Sequence, residues 1–118
     1  MKTILVVEDD KNQLLLYKQE LSLEGYNVIT AEDGQESLKK VKEQLPDLII
    51  MDINMPKMNG IESMNNILSE HKNIPIIINT AYSSYKDSFR SWSADAYIIK
   101  SSDLTELKNK IKELLYKA

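Results

Sequence analysis

Cysteine is absent from this chain. That excludes disulfides, thiolate metal sites and thiol nucleophiles, and it suits a cytoplasmic protein. No apolar run approaches the ~20 residues that a membrane helix needs. Met1-Lys2-Thr3 leads straight into a strand-like run, which leaves no room for a signal peptide. The concentrated basic patch of a nucleic-acid binder is missing too, and the net charge is −3. Internal repeats, linkers and low-complexity stretches are not found, so the 118 residues are read as one domain, 1–118. A hydrophobic share of 42% against 28% charged residues is enough for a core and is unlike a disordered or membrane-spanning chain.

What the chain does have is a regular alternation. Four short apolar runs, rich in β-branched residues, read as strands covered on both faces: Ile4-Leu5-Val6-Val7, Leu48-Ile49-Ile50-Met51, Ile76-Ile77-Ile78 and Ala96-Tyr97-Ile98-Ile99. A fifth, Asn27-Val28-Ile29-Thr30, is less apolar and suits an edge. Between them lie stripes at helical spacing: Leu14, Tyr17 and Leu21; Leu38, Val41 and Leu45; Ile61, Met64, Ile67 and Leu68; and Leu104, Leu107, Ile111, Leu114 and Leu115. Asp103 with Glu106 reads as the N-cap and N3 of the last helix, Asp10 as the N-cap of the first, and Gly25 as the first helix's C-terminal stop. Pro46 and Pro75 each stand at the entrance to a strand. Five β-α units with right-handed crossovers give an α/β fold, an open five-stranded parallel sheet with helices on both faces.

The chemistry follows from what ends each apolar run. The first ends in Glu8-Asp9-Asp10, the third strand in Asp52, the fourth in Asn79-Thr80 and the fifth in Lys100. In a parallel sheet these ends share one edge, and ligands bind there where the strand order reverses. With strands 1 and 3 adjacent, Glu8, Asp9 and Asp52 meet in one pocket. At ~4 Å and an effective dielectric near 20, each like-charge pair costs on the order of 4 kcal/mol, so something must offset it. A hard divalent cation such as magnesium does so, and Lys100 supplies a further positive charge. A carboxylate nucleophile, a metal, a lysine and the Thr80 hydroxyl together suit phosphoryl transfer.

Those residues resemble the receiver domain of bacterial two-component response regulators. The matching pieces run through the chain in order: Ile4-Leu5-Val6-Val7-Glu8-Asp9, Ala31-Glu32-Asp33-Gly34, Asp47-Leu48-Ile49-Ile50-Met51-Asp52-Ile53-Asn54-Met55-Pro56, Met58-Asn59-Gly60, Thr80-Ala81 and Tyr97-Ile98-Ile99-Lys100. The resemblance implies a flavodoxin-like (βα)5 fold with strand order 2-1-3-4-5, an order for which a member of this family is a standard example. It implies that Asp52 accepts the phosphoryl group, that Asp9 ligates magnesium directly and Glu8 through water, and that the backbone carbonyl of Asn54 completes the protein ligands. Lys100 and Thr80 then contact the acyl phosphate, and Thr80 with Tyr97 reports its presence to the surface formed by the fourth helix, fifth strand and fifth helix. The implied partners are a sensor histidine kinase or phosphotransfer protein and a downstream protein, or a fused output domain if the chain is a piece of a longer regulator. Nucleic acid and membrane are not expected to bind it directly, and it is expected to be a regulator rather than an enzyme, although it catalyses its own phosphorylation and dephosphorylation.

Plainer readings stand beside these. Asp10 rivals Asp9 as a ligand, Thr80 can cap a helix, and Tyr97 can simply pack. Tyr82, Tyr85, Phe89 and Trp92 form a stripe that either packs on the sheet or belongs to a serine-rich helix that phosphorylation moves. His71, the one histidine, is read as exposed near a helix end, and the methionines as packing. Most receivers carry a cis proline after the lysine; here Ser101 stands there, and a trans bond is expected because a cis bond to serine costs roughly 2.5–4 kcal/mol. Three rival functions fit less well. A phosphohydrolase needs a second carboxylate where Asn54 stands, and a cap domain. A flavin or nucleotide module needs a phosphate-cradling loop where Glu8-Asp9-Asp10 stands. A degenerate receiver would have lost part of the acidic set or Lys100.

Overall fold

The structure is a computed structural model, and it describes residues 1–53, 60–81 and 94–116. Five parallel strands, β1 (Thr3–Val7), β2 (Asn27–Ala31), β3 (Leu48–Met51), β4 (Ile76–Thr80) and β5 (Ala96–Ile99), pair in the order β2-β1-β3-β4-β5. Four helices are described: α1 (Lys11–Leu23), α2 (Gly34–Glu43), α3 (Gly60–Glu70) and α4 (Thr105–Leu115). The segment read as a mobile fourth helix, with its aromatic stripe, and Asn54, Met55 and Met58 all lie outside the described residues.

Alternation along the strands divides the core into two layers. Ile4, Val6, Leu48, Ile50 and Ile77 face α1 and α4, where Leu14, Tyr17, Leu21, Leu107 and Ile111 meet them. Leu5, Val7, Ile49, Met51, Ile76 and Ile78 face α2 and α3, against Val41, Met64 and Ile67. Every residue of β1, β3 and β4 is buried, which is why those runs are apolar without a period of two. β2 is an edge, buried only at Val28 and Ala31, and β5, read from sequence as covered on both faces, is the other edge, with Tyr97 and Ile99 half-buried.

Backbone ends are closed by side chains. Asp10 accepts from the amides of Asn12 and Gln13, as expected of an N-cap. Asp33 caps α2 by accepting from Glu36 N, while the Glu36 carboxylate accepts from Glu32 N. Asp47 and Asp95 accept from Thr3 N and Ile76 N at 2.7 and 2.8 Å, closing the open starts of β1 and β4. The last helix departs from expectation. Its N-cap is Leu104, with no side-chain cap, and Asp103 sits one residue earlier, accepting from both the amide and hydroxyl of Thr105. The cause is Leu104, whose side chain is drawn into the core and sets the helix start one residue late. Two other positions also depart: Leu45 lies beyond α2 and is 56% exposed, and His71 follows α3 half-buried rather than exposed.

Helix α1 stops where Gly25 takes φ +95°. Gly25 N donates to Ser22 O and Tyr26 N to Leu21 O, the paired bonds of a Schellman cap, and Tyr26 packs in the same core layer as Leu21. A Cβ at Gly25 would meet no atom within 4 Å, so only the left-handed backbone resists substitution. Gly25→Ala is therefore expected to lower stability by about 1 kcal/mol in urea unfolding. An unchanged midpoint would show that the turn does not hold this conformation in solution.

Candidate phosphoryl-acceptor site

Sheet register brings the expected residues together. Val7 pairs with both Ala31 and Met51, and Thr80 pairs with Ile99. The next residue of each strand therefore stands at the carboxyl edge: Glu8 N donates to Ala31 O, Asp52 N to Val7 O, and Lys100 N to Thr80 O. Glu8, Asp9 and Asp52 place one carboxylate oxygen each within 4.8 Å of one another, close enough for one metal ion to be held by all three. Glu8 and Asp52 are buried and Asp9 is exposed.

Lys100 reaches into this cluster. Its Nζ lies 2.5 Å from Glu8 Oε2 and 2.9 Å from Asp52 Oδ2, at 14% side-chain exposure. Glu8, expected as a ligand through water, is thus the lysine's ion-pair partner here, while remaining in the acidic cluster. Burial pushes the Glu8 carboxyl up to about 7; the Lys100 hydrogen bond opposes this and the nearby Asp52 charge reinforces it. Lys100 is held above the ordinary lysine value: burial pulls it down, but the Glu8 and Asp52 bonds more than offset that.

The Glu8 shift has a sign that can be measured. Its folded-state value lies above the 4.5 of a free glutamate, so the folded protein holds a proton that the unfolded chain gives up. The stabilisation is fully present below about pH 4.5 and is lost as pH rises through about 7. A shift of this size corresponds to about 3 kcal/mol across the window. Metal-free protein should lose stability over that range in urea titrations, and Glu8→Gln should flatten the slope. An equal slope in both proteins would remove Glu8 as its source.

Thr80 is fully buried at the end of β4, beside Lys100 in the chain of backbone bonds, and Tyr97 is half-buried on the α2–α3 side of β5. Asn54 lies outside the described residues, so the three carboxylates stand as the described acidic set. The Lys100–Ser101 peptide is trans, as are all peptide bonds among the described residues. Ser101 Oγ accepts from Asp103 N, so a serine turn shapes the loop where the family places proline. One pair was not singled out from sequence: Asn79 Nδ2 donates to the Tyr17 hydroxyl at 3.0 Å, buried, between β4 and α1. The available signal was an asparagine closing an otherwise all-isoleucine run.

Comparison with known proteins agrees with this geometry. The family described as the response regulator receiver domain matches residues 4–112. Response regulator ArlR of Staphylococcus aureus is 40% identical over 98% of this chain and 53% of its own length, so the chain spans about half the length of the curated relatives it matches. Response regulator protein TrrA of Thermotoga maritima, solved in complex with Mg(2+)-BeF, is 48% identical with a TM-score of 0.93, covering 98% of this chain and 100% of that one. The same protein, solved in complex with histidine kinase ThkA, gives a TM-score of 0.90 at 48% identity, covering 98% of this chain and 99% of that one. A CheY-like receiver domain protein of Methanospirillum hungatei is 35% identical with a TM-score of 0.92, covering 99% and 95% of the two chains. With five parallel strands in the order 2-1-3-4-5 and an acidic cluster at their carboxyl edge, the chain belongs to the response regulator receiver domain family.

Proposed function

We propose that the chain is a phosphorylation switch in which Asp52 accepts a phosphoryl group from a sensor histidine kinase or a phosphotransfer protein. The observation that carries this reading is Lys100 Nζ bonded to both Glu8 and Asp52 at the carboxyl edge of the sheet, with Asp9 completing an acidic cluster. Three carboxylates against one ammonium leave the site net negative, and that donor set of hard oxygens fits magnesium, held by Asp9, Asp52 and Glu8, with the Asn54 carbonyl added by family resemblance. When bound, magnesium neutralises the carboxylates and carries phosphate oxygens. Asp52 presents an oxygen as nucleophile, and the new oxygen–phosphorus bond forms as the donor's bond to phosphorus breaks. Lys100, already at Asp52, offsets charge on the phosphoryl oxygens, and the Thr80 hydroxyl donates to one of them.

Thr80 and Tyr97 then carry the phosphorylated state to a protein-interaction surface around β5 and the last helix, by shifting a two-state equilibrium. The partner reading that surface is a downstream protein or an output domain in the same polypeptide. The domain regulates, promotes its own phosphorylation and slow hydrolysis, and works in the cytoplasm; among the described residues no helix is long and apolar enough to cross a membrane. The test is intact mass spectrometry after incubation with acetyl phosphate and magnesium. One added phosphoryl group, lost with a chelator, is expected; no gain under any condition would overturn the reading.

A further inference from the structure

Among the described strands, β4 carries an asparagine in its buried interior-facing layer. Asn79 is 3% exposed and follows Ile76, Ile77 and Ile78 in a strand with a neighbour on each side. Its alternation places it with Ile77, in the apolar layer beneath α1 and α4. Asparagine is a poor strand former, and a buried amide is tolerated only when hydrogen-bonded. The partner comes from 62 residues away: the Tyr17 hydroxyl, itself on a residue only 3% exposed. An apolar pair of similar volume would cost the fold little or nothing, so stability does not require this pair.

Its position gives it another use. Asn79 immediately precedes Thr80, and Thr80 O accepts the Lys100 amide at 2.8 Å. Tyr17 also lines a cavity of about 270 Å³ together with Gln13, Leu16, Lys100, Ser101 and Ser102. Tyr17 therefore bonds to the end of β4 through its hydroxyl and shares the lining of a cavity with the Lys100 loop. Burial raises the phenol's pKa, the Asn79 bond opposes that, and the charges of Lys100, Glu8 and Asp52 all reach it.

We propose that Tyr17 and Asn79 are a positioning pair for the phosphoryl site, fixing the end of β4 and the Lys100 loop against α1 so that Thr80 and Lys100 stand correctly at Asp52. This rests on the reading of Asp52 as the acceptor. Neither residue touches the reacting atoms; both act through Thr80 and Lys100. In a buried, hydrogen-bonded frame a small displacement at the end of β4 moves both groups together, and misplacement of reacting groups by ~1 Å can cost on the order of a hundredfold in rate.

The experiment is a double-mutant cycle with two readouts on the same proteins. Tyr17→Phe, Asn79→Leu and the double variant are compared with wild type for thermal midpoint and for the rate of phosphoryl gain from acetyl phosphate and magnesium, followed by intact mass. Each single change leaves one buried polar group without its partner, so both should lower the midpoint, and the double variant, with an apolar pair, should recover it. The rate should fall on the order of tenfold in the single variants and stay low in the double. Recovery of the rate together with the midpoint would make the pair purely structural and overturn the proposal, as would single variants that react as fast as wild type. A wild-type protein that gains no phosphoryl group would instead overturn the acceptor reading, and the positioning role with it.

Discussion

Asp52→Asn protein incubated with acetyl phosphate and magnesium is expected to gain no phosphoryl group, where wild type gains one. The substitution keeps the size and planarity of the side chain, and the backbone bond from Asp52 N to Val7 O does not depend on it, so the fold should survive. On the proposed function, what disappears is the anionic oxygen that attacks phosphorus, and an amide at the same place is not a competent nucleophile. The loss should be complete because, among the described residues, Glu8 is tied to Lys100 and Asp9 lies at the exposed rim of the cluster, so neither is placed to substitute. Intact mass of both proteins under identical conditions settles the matter. An equal gain in Asp52→Asn would move the acceptor to another residue, with Asp9 and His71 the next to map.

The second large effect is on stability. Lys100→Met is expected to destabilise metal-free protein by about 3 kcal/mol near pH 8, seen as a fall in the urea midpoint. Methionine preserves much of the aliphatic stem, so the change isolates the charge. Without the ammonium, Glu8 and Asp52 are two buried carboxylates that have lost the cation bonded to both, and that is the costly half of a broken buried ion pair. The cost has a ceiling, because a carboxyl already raised to about 7 takes up a proton rather than stay charged. The deficit should therefore shrink as pH falls towards about 5, where protonation is nearly free, and should also shrink when magnesium binds only the folded state. A deficit equal at both pH values would assign it to lost packing of the lysine stem.

These effects centre on residues whose places could be read from sequence in unequal degree. Glu8, Asp52 and Lys100 were legible because each follows an apolar run directly, and Thr80 because it closes the fourth run after Asn79; a parallel sheet puts all such positions on one edge. The strand order then needed only the right-handed crossover rule and the family likeness. Asp10 and Gly25 were legible as caps, since each lies at the boundary of a helical stripe with the side chain or backbone freedom that the boundary demands. The start of the last helix was not. Asp103 and Leu104 compete there, and the burial of Leu104 shifts the first helical residue to Thr105. Leu45 misled for the opposite reason: it keeps the helical spacing of Leu38 and Val41, but α2 has ended at Glu43.

Sequence by itself determined the periodicities, and with them the element order, the two-layer core and the set of acids at the carboxyl edge. Strand burial is written locally, in runs such as Ile76-Ile77-Ile78, because backbone geometry alone decides which side chains share a face. Tertiary structure decided which of those side chains bond to one another. Nothing local pairs Lys100 with Glu8 as well as Asp52, nor lifts the Glu8 carboxyl to about 7, since both follow from burial and from charges brought near by folding. Nothing local joins Tyr17 to Asn79 either: a tyrosine in a helical stripe and an asparagine at a strand end become partners only when α1 lies on the sheet and closes the distance between them.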